Sequence, residues 1–161
     1  TSSPPRGLVQ DNTAMKRLPQ LQELSRDHHR GLVLARKARR AASSTDGATI
    51  DRTWAEVADV FESELAPHFL IEEELIGTAL VARGEEKLVQ RLSEEHEELR
   101  GLIDPEHPRN RENLNRFGDL LEQHIRFEER ELFEVAQGQL SEDELAAVAT
   151  ACHKGSPRDV E

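Results

Sequence analysis

Three features of this sequence predict an all-α fold: an up-down-up-down four-helix bundle with a short fifth helix at its C-terminal end. Apolar residues recur at helical spacing through four long segments. Short stretches rich in Gly, Pro, Asp and Ser separate those segments. Ala, Leu, Glu and Arg dominate, all of them good helix formers, and no segment of note carries the two-residue period of a strand. Long helices joined by short loops pack as antiparallel neighbours.

The first helix is expected over about residues 19–42, with Leu21, Leu24, His28, Leu32 and Ala35 on one face. Residues 43–49, containing Asp46-Gly47, read as a loop. The second helix is expected over about 51–74. Its inward stripe is Trp54, Val57, Phe61, Leu65, His68, Glu72 and Leu75, and Pro67 is expected to kink it. Gly77 and Gly84 bracket a stretch read as irregular. The third helix is placed at about 85–103, with Leu88, Leu92, His96, Leu99 and Ile103 aligned. Asp104 to Arg111 forms a Pro-containing turn. The fourth helix is placed at about 113–137, with Phe117, Leu121, His124, Glu128 and Leu132 aligned. Ser141-Glu142-Asp143-Glu144 is a capping box that opens a fifth helix reaching about His153. Residues 1–14 are polar, with Pro, Gly and Ser, and read as a flexible leader, native or a vector remnant. The division is thus a leader at 1–14, a bundle at 15–140 and a short helix with a tail at 141–161.

The chain has 161 residues, enough for one domain with a true core. A net charge of -11 argues against binding nucleic acid through its phosphates, which needs a basic face. The sequence has no membrane-length apolar run and no apolar signal segment. A single cysteine, Cys152, excludes an internal disulfide. A cytoplasmic location is the expectation, as a monomer or weak homodimer.

The chemistry is concentrated in a motif that occurs twice. His68 to Glu72 and His124 to Glu128 both read HxxxE, and each is followed by a second carboxylate, Glu73 or Glu129. Residues four apart share a helix face and stand roughly 6 Å apart along the axis. One turn can therefore offer an imidazole and a carboxylate to one metal. The motif belongs to a weak internal repeat. Leu24-Ser25-Arg26-Asp27-His28 resembles Leu92-Ser93-Glu94-Glu95-His96, and residues 68–75 resemble residues 124–131. Each half is a helix with one inward His followed by a helix with HxxxE. A two-fold set of ligands suits a dinuclear site inside a bundle.

The expected metal ligands are His28, His68, Glu72, His96, His124 and Glu128. His28 continues the apolar stripe and aligns with His96, so it is preferred to the adjacent His29, which is left as a surface or supporting group. A single His on an apolar stripe is more often a hydrogen-bonded core residue than a ligand. Four of them, two with a Glu one turn on, are harder to assign to the core, because a buried carboxylate without a partner costs several kcal/mol. The remaining candidates read as bland: His107 as exposed in its turn, Cys152-His153 as a weak pair, and Glu85-Glu86, Glu94-Glu95 and Glu97-Glu98 as a solvated face.

Four imidazoles and two carboxylates lack the thiolates of structural zinc sites and carry more nitrogen than Mg or Ca prefers. Iron is the first choice, with manganese or zinc as substitutes. Ferritin-like di-iron bundles place Glu three residues before His. Here those positions are Ser25, Leu65, Ser93 and Leu121, which excludes that pattern.

The order His, HxxxE, His, HxxxE resembles the hemerythrin-like (HHE cation-binding) family, over about residues 15–137. The opening RLPQLQELSRDHHRGLVLAR also looks like the start of its bacterial members. The resemblance implies a four-helix bundle around an oxo- or hydroxo-bridged non-haem di-iron centre. His28 and His68 would serve one iron, His96 and His124 the other, and Glu72 and Glu128 would bridge them. The chain departs from the oxygen-carrying members, which have HxxxH on the third helix; four residues after His96 stands Arg100. They end on HxxxxD, where this chain has Glu128 at +4 and Glu129 at +5. One imidazole fewer leaves an iron an open or water-filled position, and turns the expectation from reversible O2 carriage to binding or reduction of a small oxidant: O2, peroxide or NO, in the context of oxidative stress. The alternatives are an iron-binding, delivery or sensing module without turnover, and a purely structural metal core.

Overall fold

The computed structural model describes residues 16–155, and the expected leader and C-terminal tail lie outside them. Five helices make up the fold, and no strand occurs among the described residues. Helix α1 is Gln22–Ala42, entered through a 3₁₀ turn at Pro19–Leu21. Helix α2 spans 47–81 and contains two π-helical turns, Phe61–Leu65 and Glu72–Gly77. Helix α3 is Glu86–Ile103, and α4 spans 111–139 with a π turn at Glu128–Leu132. Helix α5 is Glu142–Gly155.

Cross-helix pairs run in opposite directions along the chain at every contact. Lys37 meets Glu56 and Arg30 meets Glu64 between α1 and α2. Glu73 meets His96, and Gly77 lies against Val89, between α2 and α3. Arg91 meets Glu131 and Glu98 meets Arg116 between α3 and α4. Ser25 meets Glu129 and Arg39 meets Gly118 between α4 and α1. The topology is the expected up-down-up-down bundle, with α5 packed against the 3₁₀ turn, α1 and residues 66–77 of α2.

Local chemistry explains the boundaries, including those that differ from expectation. Helix α2 begins at Gly47, earlier than residue 51, because the Asp46 carboxylate accepts from the Ala48 amide at 3.2 Å and caps it. It also does not stop at 74. The stretch from Gly77, expected to be irregular, stays helical through a π turn and on to Val81. The break comes at Gly84, whose φ of 88° only glycine adopts freely. Pro67 does not end the helix either: the widened turn over Phe61–Leu65 lies just before it, where a straight α-helix would clash with the proline ring. The Asn110 side chain caps α4, accepting from the Asn113 amide at 2.8 Å. The capping box forms at α5, with Ser141 Oγ accepting from the Glu144 amide and Glu144 Oε1 accepting from the Ser141 amide.

The core has two apolar layers. One holds Trp54, Phe61, Leu65, Phe69, Leu99, Phe117 and Leu121. The other holds Leu24, Ile76, Leu92, Leu132 and Phe133, and α5 closes it with Leu145, Val148 and Cys152. Between the layers, each of the four bundle helices contributes buried polar residues: His28, His68 with Glu72, His96, and His124 with Glu128. The candidate site is this polar layer.

A candidate dinuclear metal centre

Within the polar layer the side chains fall into two groups. His28, His68, Glu72 and Glu128 can each offer one ligand atom such that all lie within 4.8 Å of one another. The same holds for Glu72, His96, His124 and Glu128. Both carboxylates are common to the two groups. All six residues named from the sequence are therefore together, with two imidazoles on each side of a shared carboxylate pair. His29 is exposed and belongs to neither group, and neither do His107, Cys152 and His153. Cys152 packs in the second apolar layer, where burial pushes its thiol up to about 11.

The inward atoms approach closely, and only some of these approaches are aligned as hydrogen bonds. Glu72 Oε2 lies 2.6 Å from His68 Nε2, and Glu72 Oε1 lies 3.2 Å from His96 Nε2. Glu128 Oε1 lies 2.6 Å from His28 Nε2, and Glu128 Oε2 lies 2.7 Å from His124 Nε2. Among the described residues, His68 Nε2, both Glu72 oxygens and Glu128 Oε2 are buried without a hydrogen bond. Buried polar atoms are otherwise almost always satisfied. Lone pairs from four helices converging on one volume are what a cation requires, and the nitrogen and carboxylate donors fit a transition metal.

The outer nitrogens of the same rings are committed elsewhere. His28 Nδ1 lies 2.6 Å from Glu129, His68 Nδ1 3.1 Å from Asp27, His96 Nδ1 2.6 Å from Glu73, and His124 Nδ1 2.7 Å from Glu95. An ionised carboxylate can only accept, so Nδ1 donates, which leaves the inward Nε2 as the nitrogen a cation can take. Phe69 stacks on His96 with ring centroids 3.8 Å apart, and Phe133 stacks on His28 at 5.1 Å. Each ring is fixed in tilt and in tautomer.

The local field is negative and favours cations. Burial alone would lower the His96 pKa, but the carboxylates of Glu128, Glu72 and Glu73 around the ring outweigh it and push it up to about 10. His124 is pushed up to about 9, burial being overcome by the charge and hydrogen bonds of Glu128 and Glu95. Burial would raise Glu128, yet the charge of His124 and its other partners holds it well below the usual carboxylate range. A field that favours positive charge on these nitrogens also favours a metal cation.

Sequence reading assigned Glu94-Glu95 to a solvated face, and Glu95 departs from that. Its carboxylate turns in to His124 and is paired with Arg91. Asp27, which no apolar stripe singles out, likewise meets His68. The available signal was the repeat itself, because Asp27 and Glu95 both stand one residue before the inward His. Arg100 also has a defined role. Its guanidinium binds Glu73 at 3.0 Å and lies over the Phe69 ring, behind the imidazole of His96.

An antiparallel helical bundle with buried His and Glu converging from all four helices defines the class: an all-α protein with a cation-binding core. The chain belongs to the hemerythrin HHE cation-binding domain family, whose profile matches residues 20–136. No curated protein and no solved structure gives a significant match to the chain. No helix among the described residues is long and apolar enough to cross a membrane.

Proposed function

We propose that the chain holds two iron ions and uses them to bind or reduce a small oxidant such as O2, peroxide or NO. His28 and His68 would hold one ion, His96 and His124 the other, with Glu72 and Glu128 shared. The observation that carries this reading is the pair of four-residue groups with both carboxylates in common. Manganese or zinc could occupy the same donors. When bound, the irons supply one-electron redox chemistry and positions for a small ligand. The protein's own part is to orient four imidazoles, bring two carboxylates between them and keep bulk water away. The ligand side chains are 0–5% exposed, which supports a ligand of very few atoms. The charge of -11 supports a role without nucleic acid, and the proposed setting is the cytoplasm, as a monomer or weak homodimer.

Metal analysis with an absorption spectrum of the purified protein tests the metal. Peroxide, O2 or NO added to the reduced protein tests the chemistry. Two irons per chain and a rapid spectral change with turnover are expected. Bleaching with iron release would point to delivery or sensing, and no response at all would leave a structural metal core.

A further inference from the structure

Four carboxylates outside the proposed ligand set follow a single rule. Asp27 on α1 holds His68 on α2, and Glu73 on α2 holds His96 on α3. Glu95 on α3 holds His124 on α4, and Glu129 on α4 holds His28 on α1. Each helix presents one inward imidazole and, on an adjacent residue of the chain, a carboxylate for the imidazole of the next helix. On α1 and α3 that carboxylate precedes the inward His; on α2 and α4 it follows the inward Glu. The contacts close into a ring around the bundle.

A third layer stands behind the carboxylates. Arg30 pairs with Asp27, Arg100 with Glu73, Arg91 with Glu95 and Arg17 with Glu129. The ring residues lie at the boundary between core and solvent, with side chains 18–31% exposed against 0–5% for the layer inside. Each arginine fixes its carboxylate in place and offsets its charge. The negative charge left uncompensated is that of Glu72 and Glu128, at the centre.

We propose that Asp27, Glu73, Glu95 and Glu129 are positioning residues that set the affinity of the centre for metal, each by holding the imidazole of the neighbouring helix with Nε2 free and aimed inward. The inference rests on the metal reading above. A carboxylate on Nδ1–H does two things at once. It selects the tautomer, and it makes the opposite nitrogen a stronger donor. Because the ring is closed, each helix depends on the one before it, and metal uptake is tied to correct assembly of the whole bundle. The two halves carry equivalent contacts, so neither metal position is privileged by its supports.

The test is Co(II) titration of the full chain, read by its ligand-field absorption and independent of any redox activity. Wild type is expected to take up Co(II) at two positions. Each of Asp27→Ala, Glu73→Ala, Glu95→Ala and Glu129→Ala is expected to weaken binding roughly 10–100-fold. Glu94→Ala, which changes a neighbouring carboxylate bound to Gln90 and away from the imidazoles, is expected to leave affinity unchanged. The isosteric Glu73→Gln, Glu95→Gln and Glu129→Gln keep an acceptor for Nδ1–H but lose its charge, and should fall between wild type and alanine. A merely structural role would not produce that ordering. The glutamine variants also serve if an alanine variant fails to fold, with folding of the metal-free forms followed by circular dichroism. Wild-type Co(II) affinity in folded Ala or Gln variants overturns the proposal. Failure of the wild-type chain itself to bind Co(II) overturns the metal reading on which it stands.

Discussion

His96 Nε2 lies 3.1 Å from His124 Nε2, in a layer where the outer nitrogen of each ring already donates to a carboxylate. Two nitrogens at that separation would repel if both were bare, so a proton or a metal cation must stand between them or beside them. Glu72 Oε1 lies 3.2 Å from His96 Nε2 and Glu128 Oε2 lies 2.7 Å from His124 Nε2, while the other oxygen of each carboxylate meets His68 or His28. The arrangement is favourable only with positive charge among these atoms.

Metal removal should therefore cost stability. Binding free energy at such a site is folding free energy, about 2.7 kcal/mol per site at a free metal concentration of ~100 times Kd. For a chain of this size that corresponds to a fall in Tm of roughly 5–10 °C on stripping one site. Thermal melts of iron-loaded and chelator-treated protein check it. Equal midpoints would mean that the polar layer is held together without a metal.

His28 and His29 offer a sharp comparison, because adjacent helical residues point to different faces. His28 is buried against Glu128 and Glu129, whereas His29 is exposed and lines a surface groove with Val33 and Lys37. His28→Ala should lower bound metal by at least one equivalent and disturb Glu128, the carboxylate it meets. His29→Ala should keep full metal content and change stability by less than about 0.5 kcal/mol. Metal analysis of the two variants decides which histidine serves the centre.

Helical periodicity made the bundle legible, since His28, His68, His96 and His124 continue apolar stripes that any helical reading aligns. The six inward residues could be chosen for the same reason. The three π turns could not, because the residue an i→i+5 turn adds shifts the face that follows: after Glu72 it is Ile76, not the expected Leu75, that is fully buried. Two of them begin at Glu72 and Glu128, the shared carboxylates. The outer carboxylates were hidden for a different reason. Asp27 and Glu95 are charged residues beside other polar residues, and only the neighbouring helix shows that they face an imidazole. Glycine misled once: Gly77 reads as a breaker, but packing against Val89 and Leu92 keeps it helical.

Cys152 should be inert. It is buried in the apolar layer closed by α5, and its thiol is pushed up to about 11. The thiolate is the reactive form, so iodoacetamide should label the folded protein very slowly at pH 8 and completely after denaturation. The rate should climb only as pH approaches 11. Labelling at the rate of a free thiol in the native protein would show instead that α5 opens readily.

The approach of α1 to α4 sets how closely His28 can meet Glu128, and it depends on a residue far from the charges. A Cβ at Gly118 would lie 2.7 Å from the Ala35 carbonyl oxygen and 2.7 Å from Arg39 Cγ. The arginine can move, but the Ala35 backbone cannot shift without moving α1. Gly118→Ala should cost about 1–3 kcal/mol through overpacking, in spite of alanine's better helix propensity. Gly101, exposed in α3 with nothing within 4 Å of its Cβ position, provides the control. There the same change should stabilise by about 0.4–1 kcal/mol, because the unfolded chain loses freedom and no contact is disturbed. Urea denaturation of the two variants should give midpoints on opposite sides of the wild type with unchanged m. A neutral Gly118→Ala would mean that α1 and α4 are free to separate, and that the distance between His28 and Glu128 is set by the metal and not by the fold.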